Sequence, residues 1–241
     1  MEEIKRVLSI DLDYLVPDCI QLYNDLSAYD RMREGDYWEN VYKERNCRQF
    51  LSVDEDQLNL VWALLEKNIP DISPENIMFA EEHDMILNLL CTDPEKKDEI
   101  LEVYNLDHHH DIYYENGKEL VDLYSSANLS NWAYYLGAGG KLFKYNWLRN
   151  YSSARFEEDM RDFNFIVDQD SLFEDPSLLF EKHFDYIFIC LSKEYFPDIF
   201  WDIFDELRCR AEEMKQCSIP VVNTPYCTGG RTRFIAGKEH F

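Results

Sequence analysis

Five short apolar runs, at residues 6–10, 76–80, 100–106, 186–191 and 219–222, are separated by longer stretches in which apolar residues recur with helical spacing. That alternation is the sequence form of a mainly parallel sheet covered by helices on both faces. The expected fold class is therefore α/β, a three-layer α/β/α arrangement forming a single domain over residues 1–241. A further candidate strand lies at 163–167. Between the runs, residues 54–68 place Leu58, Val61, Leu64 and Leu65 on one helical face behind an acidic start, and residues 199–216 read as a second long amphipathic helix. A chain of this length buries roughly 70% or more of its unfolded surface and needs no disulfide staples.

Three of the runs stop at acid and imidazole. Ile10 leads into Asp11 and Asp13, Ala80 into Glu81, Glu82, His83 and Asp84, and Leu106 into Asp107-His108-His109-His110-Asp111. In open α/β sheets the ligand crevice lies at the carboxyl ends of the strands, so the three clusters are expected to converge there. Three His beside two Asp supply nitrogen and oxygen donors at spacings suited to transition metals. If the chain leaves the strand extended, Asp107, His109 and Asp111 lie on one side. The bland alternative is a solvated polar loop. Asp11 and Asp13 repel each other unless a cation, a proton or an Arg relieves them. The alternative for Asp13 is the N-cap of a helix. His83 alone reads equally as a capping or surface residue, and gains weight from the other two clusters. His108 and His110 flank the central imidazole and can shuttle protons or orient ligands.

Composition removes several classes of partner. Lys and Arg total 24 against 48 Asp and Glu, giving a formal charge of −24 with no basic patch, which argues against binding a nucleic-acid backbone. Seven cysteines, an odd number without a C-x-x-C pair, fit reduced thiols in a cytoplasmic protein. No stretch approaches the roughly 18 apolar residues that span a bilayer, and the first residues lack a signal-peptide core. Gly137, Gly139 and Gly140 mark a turn between a helix and a strand or hairpin, because no Lys-Ser/Thr follows them as a phosphate loop requires. The tail at 228–241 is expected to be a surface or lid segment.

His83, the Asp107-x-His109-x-Asp111 motif and the Ser9-x-Asp11-x-Asp13 motif together resemble the ligand motifs of the arginase/ureohydrolase superfamily. Ile10-Asp11-Leu12-Asp13-Tyr14, the Glu81-Glu82-His83-Asp84 segment and Asn131-Trp132 with Tyr135-Leu136 look most like its divergent branch, which includes the peptide arginases that convert peptidyl-arginine to ornithine. The D-x-D motif comes first here rather than last, so the resemblance implies an arginase-like fold with permuted motif order. It also implies two Mn²⁺ ions. His83, Asp107, Asp111 and Asp11 would hold one and His109, Asp107, Asp11 and Asp13 the other, with a bridging hydroxide attacking the guanidinium carbon to give urea and a primary amine. Asp111 would pass the proton to the leaving amine. Donors without Cys favour Mn²⁺ over a structural Zn²⁺ site.

A guanidinium substrate, free or within an arginine-containing peptide, needs a carboxylate in fork geometry, and Glu81, Glu82 and Glu194 are the candidates. Asn131 can hydrogen-bond peptide backbone. Trp132 can stack on a cation, although core packing is the commoner role of such a residue. Two rivals stand beside this reading. Asp107-His108-His109 is also the motif of the DHH phosphoesterases, and the same clusters would serve a non-catalytic metal-binding interaction domain.

Overall fold

The computed structural model describes residues 3–16, 37–112, 131–150, 172–173, 176–193 and 195–222. The candidate strand at 163–167 and the tail at 228–241 lie outside the described residues.

Among the described residues there are seven strands: β1 Ile4–Asp11, β2 Ile77–Ala80, β3 Ile100–Asp107, β4 Leu142–Arg149, β5 Leu172–Phe173, β6 Tyr186–Cys190 and β7 Val221–Val222. They form one sheet in the order β5-β4-β3-β1-β6-β2-β7, and every neighbouring pair is parallel. Among the described residues five α-helices accompany it: α1 Tyr37–Arg45, α2 Glu55–Asn68, α3 Ile86–Cys91, α4 Trp132–Ala138 and α5 Trp201–Lys215.

Successive side chains of a strand point to opposite faces, so each central strand feeds two cores. Leu8, Ile10, Leu106, Ile187 and Ile189 pack on one side with Val41 of α1, Val61, Leu64 and Leu65 of α2, and Phe204 and Leu207 of α5. Val7, Val103, Phe188 and Cys190 pack on the other with Ile86, Leu87 and Leu90 of α3 and Trp132, Ala133 and Leu136 of α4. This is the expected three-layer α/β/α arrangement around a parallel sheet.

The two long helices follow their local signals. Asp54 caps α2 by accepting from the backbone N–H groups of Asp56 and Gln57, both at 3.1 Å, a contribution of about 1 kcal/mol. At the other end of the chain, a single 3₁₀ turn at Asp198–Phe200 precedes α5, which stops at Gln216 in the left-handed conformation, φ 54°. Strand β4 is less legible because Lys144, Asn146 and Arg149 interrupt its apolar pattern. Its buried amide is satisfied across the sheet, where Asn146 Nδ2 donates to the Val103 carbonyl at 3.0 Å. The glycine-rich turn joins α4 to β4, with Gly140 at φ 71°.

Register brings the strand ends level. Ile10 lies beside Leu106, and Asp11 lies beside Cys190, which in turn lies beside Ala80. Clusters far apart in sequence thus meet at one carboxyl edge. Among the described residues no helix is long and apolar enough to cross a membrane.

Candidate metal centre

Each cluster is shaped by the way its strand ends. Asp11 terminates β1 and caps the following 3₁₀ turn, Leu12–Leu15, by accepting from the Asp13 N–H at 3.2 Å. Asp11 is therefore the cap, and Asp13, in the first turn, points its carboxylate inward, 2% exposed. After β2, Glu82 stands at the start of the 3₁₀ turn His83–Met85 without capping it, and His83 is buried. After β3 the chain turns at Asp111, whose φ of 51° is a left-handed conformation that Asp tolerates better than most residues. Strained backbone of this kind concentrates at functional sites.

Two groups of donors result. His83 Nδ1 lies 3.0 Å from Asp11 Oδ2, 3.2 Å from Asp107 Oδ2 and 2.9 Å from Asp111 Oδ2. A ring nitrogen carries one hydrogen at most and cannot donate to three carboxylates. Spacings near 3 Å are those of neighbouring ligands around one ion, because two donors at about 2.1 Å and a right angle lie about 3 Å apart. In the second group His109 Nδ1 lies 2.9 Å from Asp13 Oδ2 and 3.8 Å from Asp107 Oδ1. Asp13 Oδ2 is buried and faces His109 Nδ1, an arrangement satisfied either by an ion pair with a protonated imidazole or by a cation between two acceptors. Asp107 presents one oxygen to each group. The chemistry and geometry of the donors fit divalent cations.

A surrounding shell holds these donors. His83 Nε2 and Ser9 Oγ are 2.8 Å apart. When Nε2 donates there, Nδ1 keeps its lone pair toward the carboxylates. The His83 ring stacks on Phe188 at 5.5 Å and leans on Trp132 at 5.0 Å. Asn105 Nδ2 donates to Asp107 Oδ2 at 2.9 Å and to the Tyr145 hydroxyl at 2.9 Å, which itself donates to the His110 carbonyl at 2.8 Å. Trp147 Nε1 donates to the Asp107 carbonyl at 2.9 Å. Trp132 Nε1 donates to Asp111 Oδ2 at 2.5 Å, and the Ala133 N–H donates to the Asp111 carbonyl at 3.2 Å, so the start of α4 fixes this carboxylate.

Trp132→Phe is therefore expected to keep the fold, since most of the ring volume is retained, while lowering metal affinity about ten- to hundredfold through loss of the donor to Asp111. A metal titration monitored alongside a thermal melt measures both. Unchanged affinity would show that Asp111 needs no such support.

Burial dominates the electrostatics. It raises Asp11 and Asp13, with carboxylate neighbours adding to the effect, and it drives Asp107 up to about 8 with help from Asp111 and Asp11. Burial lowers the two ligand-type imidazoles, but the facing carboxylates outweigh it. Asp111, Asp107 and Asp11 hold His83 well above its usual range, and Asp13 foremost lifts His109 to about 10. Excess negative charge around two imidazoles favours binding of a cation.

The remaining sequence candidates occupy varied positions. His108 is buried, and burial followed by the His109 charge lowers it to about 3, so its ring is neutral at pH 7. Neither of its ring nitrogens is hydrogen-bonded among the described residues, whereas its backbone N–H donates to Asp13 Oδ1 at 3.3 Å. His108 thus orients a donor through its main chain. His110 Nδ1 accepts from the Ile112 N–H at 3.2 Å, which leaves the ring hydrogen on Nε2. Trp132 is fully buried, so its ring offers no open face to a cation; it acts on Asp111 instead. Asn131 is buried directly before α4. Glu81 forms an ion pair with Lys193 at 2.5 Å, while Glu82 stays half-buried beside His83. Glu194 lies outside the described residues.

Two residues at this edge escape a reading based on acid and imidazole. The Tyr195 ring lies 4.7 Å from that of His109. Cys190 ends β6 as Asp11 and Asp107 end their strands, and Asp11, His83 and Cys190 each place one donor atom within 4.8 Å of the others. The position of Cys190 at the end of an apolar run was the available signal.

Compared with known protein families, characterised proteins and solved structures, the chain matches none.

Proposed function

We propose that the protein is a two-metal hydrolase that cleaves guanidinium groups, with arginine side chains in a peptide as substrate and ornithine plus urea as products. The observation that carries this reading is Asp107, which faces His83 with one carboxylate oxygen and His109 with the other. In the proposed site His83, Asp11, Asp107 and Asp111 hold one cation, and Asp13, His109 and Asp107 hold the second, with Asp11 contributing to both. Divalent ions held there, Mn²⁺ in this reading, would supply a water of lowered pKa as the nucleophile near neutral pH.

The chain's own residues then position substrate and move the proton. Asp111, tethered by Trp132, accepts the proton of the attacking water and returns it to the departing nitrogen as the bond from the guanidinium carbon to that nitrogen breaks. Water adds its oxygen to the carbon, which leaves as urea, and the amine leaves protonated. Glu82, beside His83 and not engaged in capping its turn, is a carboxylate suited to a guanidinium. Glu81 is already neutralised by Lys193.

The direct test is incubation of Mn²⁺-loaded protein with free arginine, agmatine and an arginine-containing peptide. Urea should appear, together with a peptide mass loss of one CN₂H₂ unit. Phosphodiester cleavage without urea would replace this reading with a phosphoesterase, and two bound ions without turnover of either substrate class would leave a metal-binding domain.

A further inference from the structure

The preference for manganese assumes a donor set without sulfur, and Cys190 removes that condition at the His83 end. The thiol is fully buried at the end of β6, beside Asp11 in register and on the same face as Phe188, the ring that stacks on His83. The thiol donates to the Glu81 carbonyl at 3.7 Å. The chain is held here by the Leu191 N–H donating to the Ala80 carbonyl at 2.9 Å, followed by Ser192 at φ 52°. The donor atoms of Asp11, His83 and Cys190 lie within 4.8 Å of one another. Zinc takes sulfur at about 2.3 Å and nitrogen or oxygen at about 2.0–2.2 Å in a tetrahedral shell, so two such ligands lie about 3.5 Å apart, and side-chain rotation would draw the three donors together around the ion.

We propose that Cys190 is a metal ligand, and that with Asp11 and His83 it makes this position selective for a thiophilic dication such as zinc. The charges support the assignment. A Cys190 thiolate and the Asp11 carboxylate bring two negative charges to a dication beside His83, where Asp107 and Asp111 add further carboxylates at 3.2 and 2.9 Å. On binding, the thiol proton is released to solvent as sulfur bonds to the ion, with no change of oxidation state. Softness decides the competition: thiolate favours zinc, and carboxylates with water favour manganese. His83 and Asp11 therefore stand in both donor sets, with Cys190 completing one and Asp107 and Asp111 the other.

This inference rests on the metal reading above but not on guanidine chemistry. Its test uses the full chain loaded with one equivalent of zinc or cobalt. X-ray absorption at the zinc edge should show one sulfur scatterer at about 2.3 Å, and the cobalt form should show a thiolate-to-metal charge-transfer band. Cys190→Ser should lose both signals and reduce the preference for zinc over manganese at least about tenfold, while still binding manganese. A shell of nitrogen and oxygen alone around bound zinc would overturn the proposal and leave the two-metal site in place. So would a sulfur signal that persists in Cys190→Ser. Failure to bind any divalent ion would overturn both readings. The wild-type spectra decide the point even if the variant does not fold.

Discussion

Asp107→Asn is expected to change the protein in two opposite directions. With metal present, the variant should lose the shared ligand, bind no more than one cation tightly, and lose turnover by roughly a thousandfold or more, beyond the ten- to hundredfold effect of removing an outer-shell partner. With a chelator present, it should melt higher than the unaltered protein at neutral pH. The carboxyl of Asp107 is buried against Asp111 and Asp11 and sits at about 8, well above the ordinary 3.8. Between those values the folded chain retains a proton that the unfolded chain has released, so metal-free stability falls as pH rises through this window. Asparagine has no charge to lose and abolishes that slope. Each kcal/mol relieved corresponds to about 2–4 °C in the melting temperature for a chain of this size. Thermal melts with and without metal should therefore cross over. Two ions still bound by the variant would show that Asp107 is not shared between them.

Metal affinity should rise steeply with pH. His109 sits at about 10 against an ordinary 6.5, and Asp107 at about 8 against 3.8, so between pH 6 and 8 both carry protons that a cation must displace. Two protons released per binding event raise affinity by about a hundredfold per pH unit, easing toward about tenfold per unit above pH 8 as Asp107 ionises. Asp11 and Asp13 shift in the same direction and steepen the dependence. The sign also sets the stability profile. The contribution from His109 is complete below pH 6.5 and lost as pH rises through about 10, so metal-free protein weakens toward alkaline pH while excess metal supports it there. Calorimetric titrations at pH 6, 7 and 8 in buffers of different ionisation enthalpy count the protons directly. Affinity independent of pH would mean that these groups do not bind the ion.

Much of the architecture is legible from local pattern. The apolar runs correspond to β1, β2, β3, β6 and β7 with shifts of no more than two residues at an end, and Asp54 announces the start of α2. The reason is that burial on both faces demands continuous apolar character, and a helix cap is a local hydrogen bond. Strand β4 is harder to read because Asn146 and Trp147 satisfy their polar atoms on β3, a compensation invisible within the run itself. Trp132 shows the same limit. Its neighbours in the chain suggest a substrate contact, whereas its indole N–H is directed at a carboxylate 21 residues earlier.

The donor types and their spacing at the ends of β1, β2 and β3 are properties of the chain alone, but β3 ends at Asp107, and the bends after it, with Asp111 at φ 51°, position His109 and Asp111 instead of the extended exit that a two-residue period would give. Which oxygen faces which imidazole is not such a property. Asp107 spans the two donor groups because parallel pairing sets β3 against β1 in flush register, and His83 enters from β2, on the far side of β6. Cys190 joins them for the same reason. Its sequence neighbours are apolar, and only the pairing of β6 between β1 and β2 sets a thiol beside Asp11 on one strand and beside Ala80, three residues before His83, on the other. Long-range register, which no local pattern encodes, brings three separate polar strand ends together at one edge of the sheet.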